Sequence, residues 1–176
     1  MKIALCGKMR AGKDTVADML VKDYDFYQFK FSQGINEVIE KLFPDDVRSG
    51  NKLRRHQQII GQSMRELDSD VWVKYTMRTV HEFEGCNIVI SDLRQSNEAD
   101  ALRREGFVIV KVEADTDVRI ARIIESGDVF SPSQLNHETE LSVDSIEADF
   151  VLTNNHGVDY LRLELTELIK LIKHNL

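Results

Sequence analysis

Short apolar, β-branched runs alternate along this chain with longer segments whose apolar residues recur at helical spacing. Lys2 to Cys6, Tyr27 to Phe31, Asn87 to Ser91, Val108 to Val112 and Phe150 to Thr153 read as strands. Leu20, Ile35, Val38, Ile39 and Leu42 fall on the apolar faces of helices, as do Ala99, Leu102, Ile120, Ile123 and Ile124. Leu161, Leu165, Leu168 and Leu171 repeat near the C-terminus. Strands separated by helices need crossover connections, which predicts an α/β fold with a mostly parallel sheet and helices on both faces. Ligands of such sheets bind beyond the carboxyl ends of the strands. The segment from about Gln33 to Glu84 is too long for a simple crossover and predicts an insertion of two or three helices.

The junction between the first strand and the first helix reads Gly7-Lys8-Met9-Arg10-Ala11-Gly12-Lys13-Asp14-Thr15. Two glycines flanking four residues let the backbone curl so that its N–H groups converge on phosphate oxygens, and the helix N-terminus adds the positive end of its dipole. Lys13 then reaches the terminal phosphates as a point charge. Gly7, Lys8, Arg10, Ala11, Gly12, Lys13, Asp14 and Thr15 are therefore the candidate nucleotide-binding residues. The position after the lysine ordinarily carries a magnesium-ligating hydroxyl, yet here it is Asp14, with Thr15 one residue late. A bare carboxylate would repel phosphates, so Asp14 fits if Mg²⁺ or a metal-bound water lies between them. The apolar run Ile88-Val89-Ile90-Ser91 ends in Asp92, the form expected of a carboxylate that supports the same Mg²⁺. A structural turn is the alternative reading of Asp92.

Several arginines follow. Arg94, at the ligand edge of the sheet, suits a bidentate grip on a substrate phosphate, with an ion pair to Glu98 as the alternative. Arg119 and Arg122, three apart on one helix, project from one face and suit a lid that closes over a transferring phosphoryl group. The basic segment Lys52-Leu53-Arg54-Arg55-His56-Gln57-Gln58 is either a solvated helix face or a second phosphate-binding surface. His137 and Glu138 are adjacent and lack the i, i+4 spacing of a zinc helix, so a hydrogen-bonding loop near the lid with Thr139 and Glu140 suits them better. The five histidines, His56, His81, His137, His156 and His174, lie scattered outside any nucleophile pattern.

Composition narrows the picture. At 176 residues the chain suits one domain with a continuous core. Its 23 Lys+Arg against 30 Asp+Glu give a formal charge of −7, which disfavours coating a nucleic-acid duplex. It starts at Met1 with a core strand, carries no signal-peptide pattern and has no apolar run of bilayer length, so a cytoplasmic protein without membrane partners is expected. Cys6 and Cys86 lack CxxC spacing and read as reduced packing residues. Pro44 and Pro132 mark local breaks.

The loop at Gly7 to Thr15, the Arg54-Arg55-x-x-Gln58-x-x-Gly61 segment leading to Val71-Trp72-Val73-Lys74, Ser91-Asp92-x-Arg94 and Thr153-Asn154-Asn155 together resemble the deoxynucleoside monophosphate kinases of bacteriophages. Lys8, Arg10, Gly12-Lys13-Asp14, Arg65, Arg94, Arg119-x-x-Arg122 and Asn155-His156-Gly157 are similar also to animal-type phosphomevalonate kinases. The resemblance implies a P-loop NTPase fold of nucleotide-kinase type with a five-stranded parallel sheet flanked by helices. It implies ATP and Mg²⁺ as cofactors, Lys13, Arg94, Arg119 and Arg122 as catalytic residues, and Asp14, Thr15 and Asp92 as the metal site. Thr153, Asn154 and Asn155 would lie near the adenine. Arg54, Arg55, Gln58, Arg65 and Arg94 would hold a nucleoside monophosphate, within an acceptor-binding insertion at about 33–84 and under a lid at about 116–140. Both families usually carry a Pro-hydrophobic-Lys step where this chain has Gly34-Ile35-Asn36, leaving Lys30 or Arg54 to compensate. The expected reaction moves the γ-phosphoryl of MgATP to a deoxynucleoside monophosphate, in the cytoplasm of a bacterial host if the gene is phage-borne. A kinase of another small phosphorylated acceptor and a non-catalytic nucleotide-binding protein are the alternatives, and assembly as a homodimer is left open.

Overall fold

The computed structural model describes residues 1–50, 53–126 and 142–175. The chain runs β1 (Lys2–Cys6), α1 (Lys13–Tyr24), β2 (Phe26–Phe29), α2 (Phe31–Leu42), α3 (Pro44–Arg48), α4 (Arg54–Leu67), α5 (Val71–His81), β3 (Asn87–Leu93), α6 (Ser96–Arg104), β4 (Val108–Glu113), α7 (Thr116–Glu125), a 3-10 turn at Val143–Ser145, β5 (Phe150–Thr153) and α8 (Val158–Asn175). The strands form one sheet in the order β2-β3-β1-β4-β5, and each pairing is parallel. This is the expected five-stranded parallel sheet flanked by helices.

Period-two alternation in the central strand sorts the core into two layers. Ala4 and Cys6 face the layer made by Phe31, Ile35, Trp72, Met77 and Leu102 from α2, α5 and α6. Ile3 and Leu5 face Val16, Leu20, Leu161, Leu165 and Ile169 from α1 and α8. Both faces are therefore covered, which is why the strands read as near-continuous apolar runs. Each fully buried Leu or Ile contributes roughly 1.5–3 kcal/mol. Burial also pushes the Cys6 thiol up to about 11, making it an inert packing group. Cys86, expected to be buried, is only half-buried in the turn before β3.

Three apolar positions turn outward against the sequence expectation: Leu42 (66% exposed), Ile124 (70%) and Leu171 (53%). Each helical residue advances by about 100°, so the buried Ile123 and Ile172 take the inward places and their neighbours point away. Leu42 is the last residue of α2, where the chain leaves the core for α3. β2 stops at Phe29, two residues earlier than its pattern predicts, because Phe31 begins α2. The long insertion holds most of α2 and three further helices, one more than the upper expectation. It is tied together by Trp72 Nε1 donating to the Gly61 carbonyl at 3.1 Å and by Gln57 Nε2 donating to Asn36 Oδ1 at 2.8 Å. Of α4 only Gly61 is fully buried, so this helix forms an outer wall.

Candidate active site

The loop after β1 turns through three residues of positive φ, Gly7 (145°), Arg10 (63°) and Gly12 (113°). Gly7 is there for space as well as conformation, since a Cβ would stand 2.3 Å from the Val112 carbonyl oxygen on β4. At Gly12 a Cβ would stand 2.2 Å from Asn154 Nδ2. The turn closes by Ala11 N–H donating to the Lys8 carbonyl at 3.1 Å, and α1 begins with Val16 N–H on the Gly12 carbonyl at 3.0 Å. Lys13 is buried, and its Nζ donates to the Gly7 carbonyl at 2.7 Å and the Lys8 carbonyl at 3.2 Å. The lysine is thus folded back onto the carbonyls of its own loop.

Around this loop the neighbouring strands supply supports. Asn154, at the end of β5 and 5% exposed, donates through Nδ2 to the Ala11 carbonyl at 2.8 Å. Arg122 gives Nη2 to the Asn154 carbonyl at 2.8 Å and to its Oδ1 at 3.2 Å, and Nη1 to the Arg10 carbonyl at 3.2 Å. Arg119 is buried, with Nη1 3.5 Å from the Met9 carbonyl and Nη2 3.3 Å from Thr116 Oγ1, while its Nε meets no partner among the described residues. Both arginines of α7 therefore already grip the backbone of the phosphate loop. Asn155 Oδ1 accepts the Asp115 N–H at 2.8 Å, which fixes the start of α7. Lys8 pairs with Asp144 at 2.8 Å, and Arg10 Nη2 donates to Ser126 Oγ at 2.8 Å. Asn136, His137, Glu138, Thr139, Glu140 and Pro132 lie outside the described residues, as does most of the expected lid.

On the other side of the loop, β3 gains one residue relative to β1, since Ala4 pairs with Ile90 but Cys6 with Leu93. The bulge presents Asp92, whose Oδ1 accepts the Phe31 N–H at 2.8 Å and Oδ2 the Ser32 N–H at 2.9 Å. Helix α2 has no cap of its own, so a carboxylate from β3 satisfies its first N–H groups and complements its dipole. Asp14, on the first turn of α1, pairs with Lys30 Nζ at 3.2 Å. Thr15 is half-buried beside it.

The expected acceptor residues are spread more widely. Arg54, Arg55 and Gln58 are exposed at the start of α4, and it is Gln57 that turns to α2. The guanidinium that pairs with Glu98 is that of Arg65, at 3.1 Å, while the Arg94 and Gln95 N–H groups donate to the other Glu98 oxygen at 3.0 and 3.1 Å. An open polar cleft of about 470 Å³ lies along α2, lined by Gln28, Lys30, Ser32, Gln33, Asn36, Glu37 and Glu40. Tyr75 donates to Glu37 at its rim. Gly34 allows Tyr75 and Trp72 of α5 to pack directly on α2, since a Cβ would stand 2.7 Å from the tyrosine ring.

A model of the AAA domain family AAA_18 matches residues 3–141, from β1 to the edge of the 3-10 turn. The chain belongs to this AAA domain family. Across 196 aligned residues this AAA domain is 24% identical to a protein of Acanthamoeba polyphaga mimivirus named "Putative deoxynucleotide monophosphate kinase", covering 89% of this chain and 90% of the relative. Among solved structures, TT1252 from Thermus thermophilus superposes with a TM-score of 0.62 at 17% identity, over 97% of this chain and 96% of that one. Shikimate kinase from Bacteroides thetaiotaomicron superposes with 0.56 at 15% identity, over 98% of each chain. At these identities the two structures show a shared fold, the α/β P-loop NTPase fold.

The residues present in the AAA domain fit a magnesium nucleotide. Gly7 and Gly12 let the loop pack closely on β4 and Asn154, and Asp14, Thr15 and Asp92 are all oxygen donors, as Mg²⁺ requires. Among the described residues no group of three or more His, Cys, Asp or Glu could hold a metal. No described helix is long and apolar enough to cross a membrane.

Glu98 was legible in sequence only as a partner for Arg94, and its real position is more consequential. It is almost fully buried, and burial pushes its carboxyl above the ordinary range, opposed by the Arg94 N–H and Arg65 and reinforced by the charge of Asp92. The folded state therefore holds the Glu98 proton more tightly than the unfolded chain does. Stability contributed here is present below the ordinary carboxyl value of 4.5 and falls as pH rises through the raised folded value. Glu98→Gln lacks that loss, so its urea-unfolding free energy should gain on the wild type as pH rises above the ordinary carboxyl value of 4.5. A gap independent of pH would show that Glu98 titrates alike in both states.

Proposed function

We propose that this chain is an ATP-dependent kinase that transfers the γ-phosphoryl group of MgATP to a deoxynucleoside monophosphate, giving the diphosphate and ADP. The observation that carries the reading is the polar cleft along α2, which opens beside Asp14 through Lys30 and so adjoins the phosphate loop. Its amide, hydroxyl and carboxylate groups suit the edges of a base or sugar. The mimivirus relative supports the acceptor class. Residues 33–84 then form the acceptor-binding part and residues 116–140 the lid, in a protein that works in the cytoplasm.

An acceptor phosphate oxygen attacks the γ-phosphorus in line, a new O–P bond forms, and the bond to the β–γ bridging oxygen breaks to release ADP. The attacking oxygen is already anionic at neutral pH, so no general base is needed. The loop N–H groups and Lys13 hold the β- and γ-phosphates, and Arg119 and Arg122 bring positive charge from α7. Arg94 and Arg65 are assigned to the acceptor, although neither lines the cleft along α2 and Arg65 is paired with Glu98. Asp14 and Thr15 would hold the magnesium, with Asp92 behind them, and the ion would supply neutralisation of charge on the phosphates.

An ADP-release assay with MgATP against dAMP, dGMP, dCMP, dTMP, their ribo-forms and phosphomevalonate tests this directly. Turnover with one or more deoxynucleotides, abolished by EDTA, is the expected result. Silence with every nucleotide while ATP still binds would overturn it, and turnover with phosphomevalonate alone would replace the acceptor.

A further inference from the structure

We propose that Lys30 is the residue that seats the acceptor's phosphate, and that its pairing with Asp14 holds it back until MgATP is bound. This rests on the kinase reading above and adds a residue and a coupling to it. Lys30 stands between the two halves of the site. It ends the β2 connection in extended conformation, lines the cleft along α2, and reaches Asp14 Oδ1 at 3.2 Å on the helix that carries Lys13. Among the residues lining the cleft it is the one cation, facing Glu37 and Glu40, so an anion entering there has Lys30 to meet. Asn36, also on the cleft, is neutral, and its side-chain oxygen accepts from Gln57.

The Lys30–Asp14 pair is solvent-exposed, with side chains 43% and 83% accessible, and such pairs exchange partners at little cost. Asp14 is also the group with most reason to change partner when a magnesium nucleotide arrives beside Lys13, because a carboxylate near phosphates needs a cation. The cation it then uses is the magnesium, and Lys30 is released into the cleft as a point charge for the acceptor phosphate. The two substrates are thereby coupled: nucleotide binding tightens acceptor binding, and by linkage acceptor binding tightens that of the nucleotide.

The test is calorimetric titration of the full chain with each of the four deoxynucleoside monophosphates, with and without Mg²⁺ and a non-hydrolysable ATP analogue, for wild type, Lys30→Met, Lys30→Arg, Asp14→Asn and the Asp14→Asn/Lys30→Met double variant. Wild type should bind its acceptor about two- to fivefold more tightly once the magnesium nucleotide is present, the limit set by release of one exposed ion pair. Lys30→Met should weaken acceptor binding and raise the acceptor KM by tenfold or more, on the order of one lost charge-assisted contact, with ATP affinity little changed. Lys30→Arg should restore most of it. Asp14→Asn should bind acceptor tightly without nucleotide, and that gain should vanish in the double variant, because Asp14 acts through Lys30. Equal acceptor affinity in wild type and Lys30→Met overturns the role of Lys30 alone. A wild-type protein that binds ATP but none of the monophosphates overturns the acceptor reading, and this role with it.

Discussion

Lys13→Ala should lower kcat by at least about a thousandfold while the protein stays folded, since an ammonium aimed at transferring phosphates acts mainly on charge that develops in the transition state. The fold should tolerate the change for a specific reason. Lys13 is not part of either apolar layer, and its Nζ donates to the Gly7 and Lys8 carbonyls of the loop. What is lost is a few hydrogen bonds and no apolar packing, so the stability cost should stay within about 1–3 kcal/mol. Single-turnover kinetics and a thermal melt on the same sample separate the two effects. Near-normal kcat in Lys13→Ala would refute the catalytic assignment, and a collapsed melt would show that the loop is a structural keystone instead.

The same loop shows how far residues alone could lead. Strand, loop and helix could be placed because β1 is apolar on both faces, Gly7 and Gly12 bracket the turn, and Lys13 opens an amphipathic segment. Those are local signals, and the five parallel strands followed from alternation of the same kind. What the sequence could not show were the contacts made between distant segments. Asp92 stood out as a strand-end acid, yet its engagement with the first N–H groups of α2 depends on a bulge in β3 and on β2 ending at Phe29. Asn154 was legible as part of a motif, but its side chain is 143 residues from the Ala11 carbonyl it supports. The Arg119 and Arg122 pair was recognisable from its spacing, whereas its grip on the Met9 and Arg10 carbonyls depends on where α7 packs. That Gln57 rather than Gln58 turns to α2 is set by packing, and α4 has too few buried residues to reveal its phase in the sequence.

Gly7→Ala should be the most destabilising single substitution in the loop, by at least about 3 kcal/mol, seen as a lowered urea midpoint at unchanged slope. Two independent costs combine. A φ of 145° is rarely adopted by residues with a Cβ, and that Cβ would stand 2.3 Å from the Val112 carbonyl oxygen. That oxygen belongs to the backbone of β4, which is hydrogen-bonded between β1 and β5 and cannot withdraw without disturbing the sheet. Gly12→Ala makes the contrast. Its Cβ would strike Asn154 Nδ2, the end of a side chain, so the strain can be relieved by moving that amide away from Ala11. Its cost should therefore be smaller, and it should fall further when Asn154 is already alanine, giving a coupling of about 0.5–3 kcal/mol in the double-mutant cycle. If Gly7→Ala and Gly12→Ala instead cost the same, and Asn154→Ala changed neither, positive φ alone would account for both glycines. The close approach of β4 and β5 to the phosphate loop would then be incidental to it.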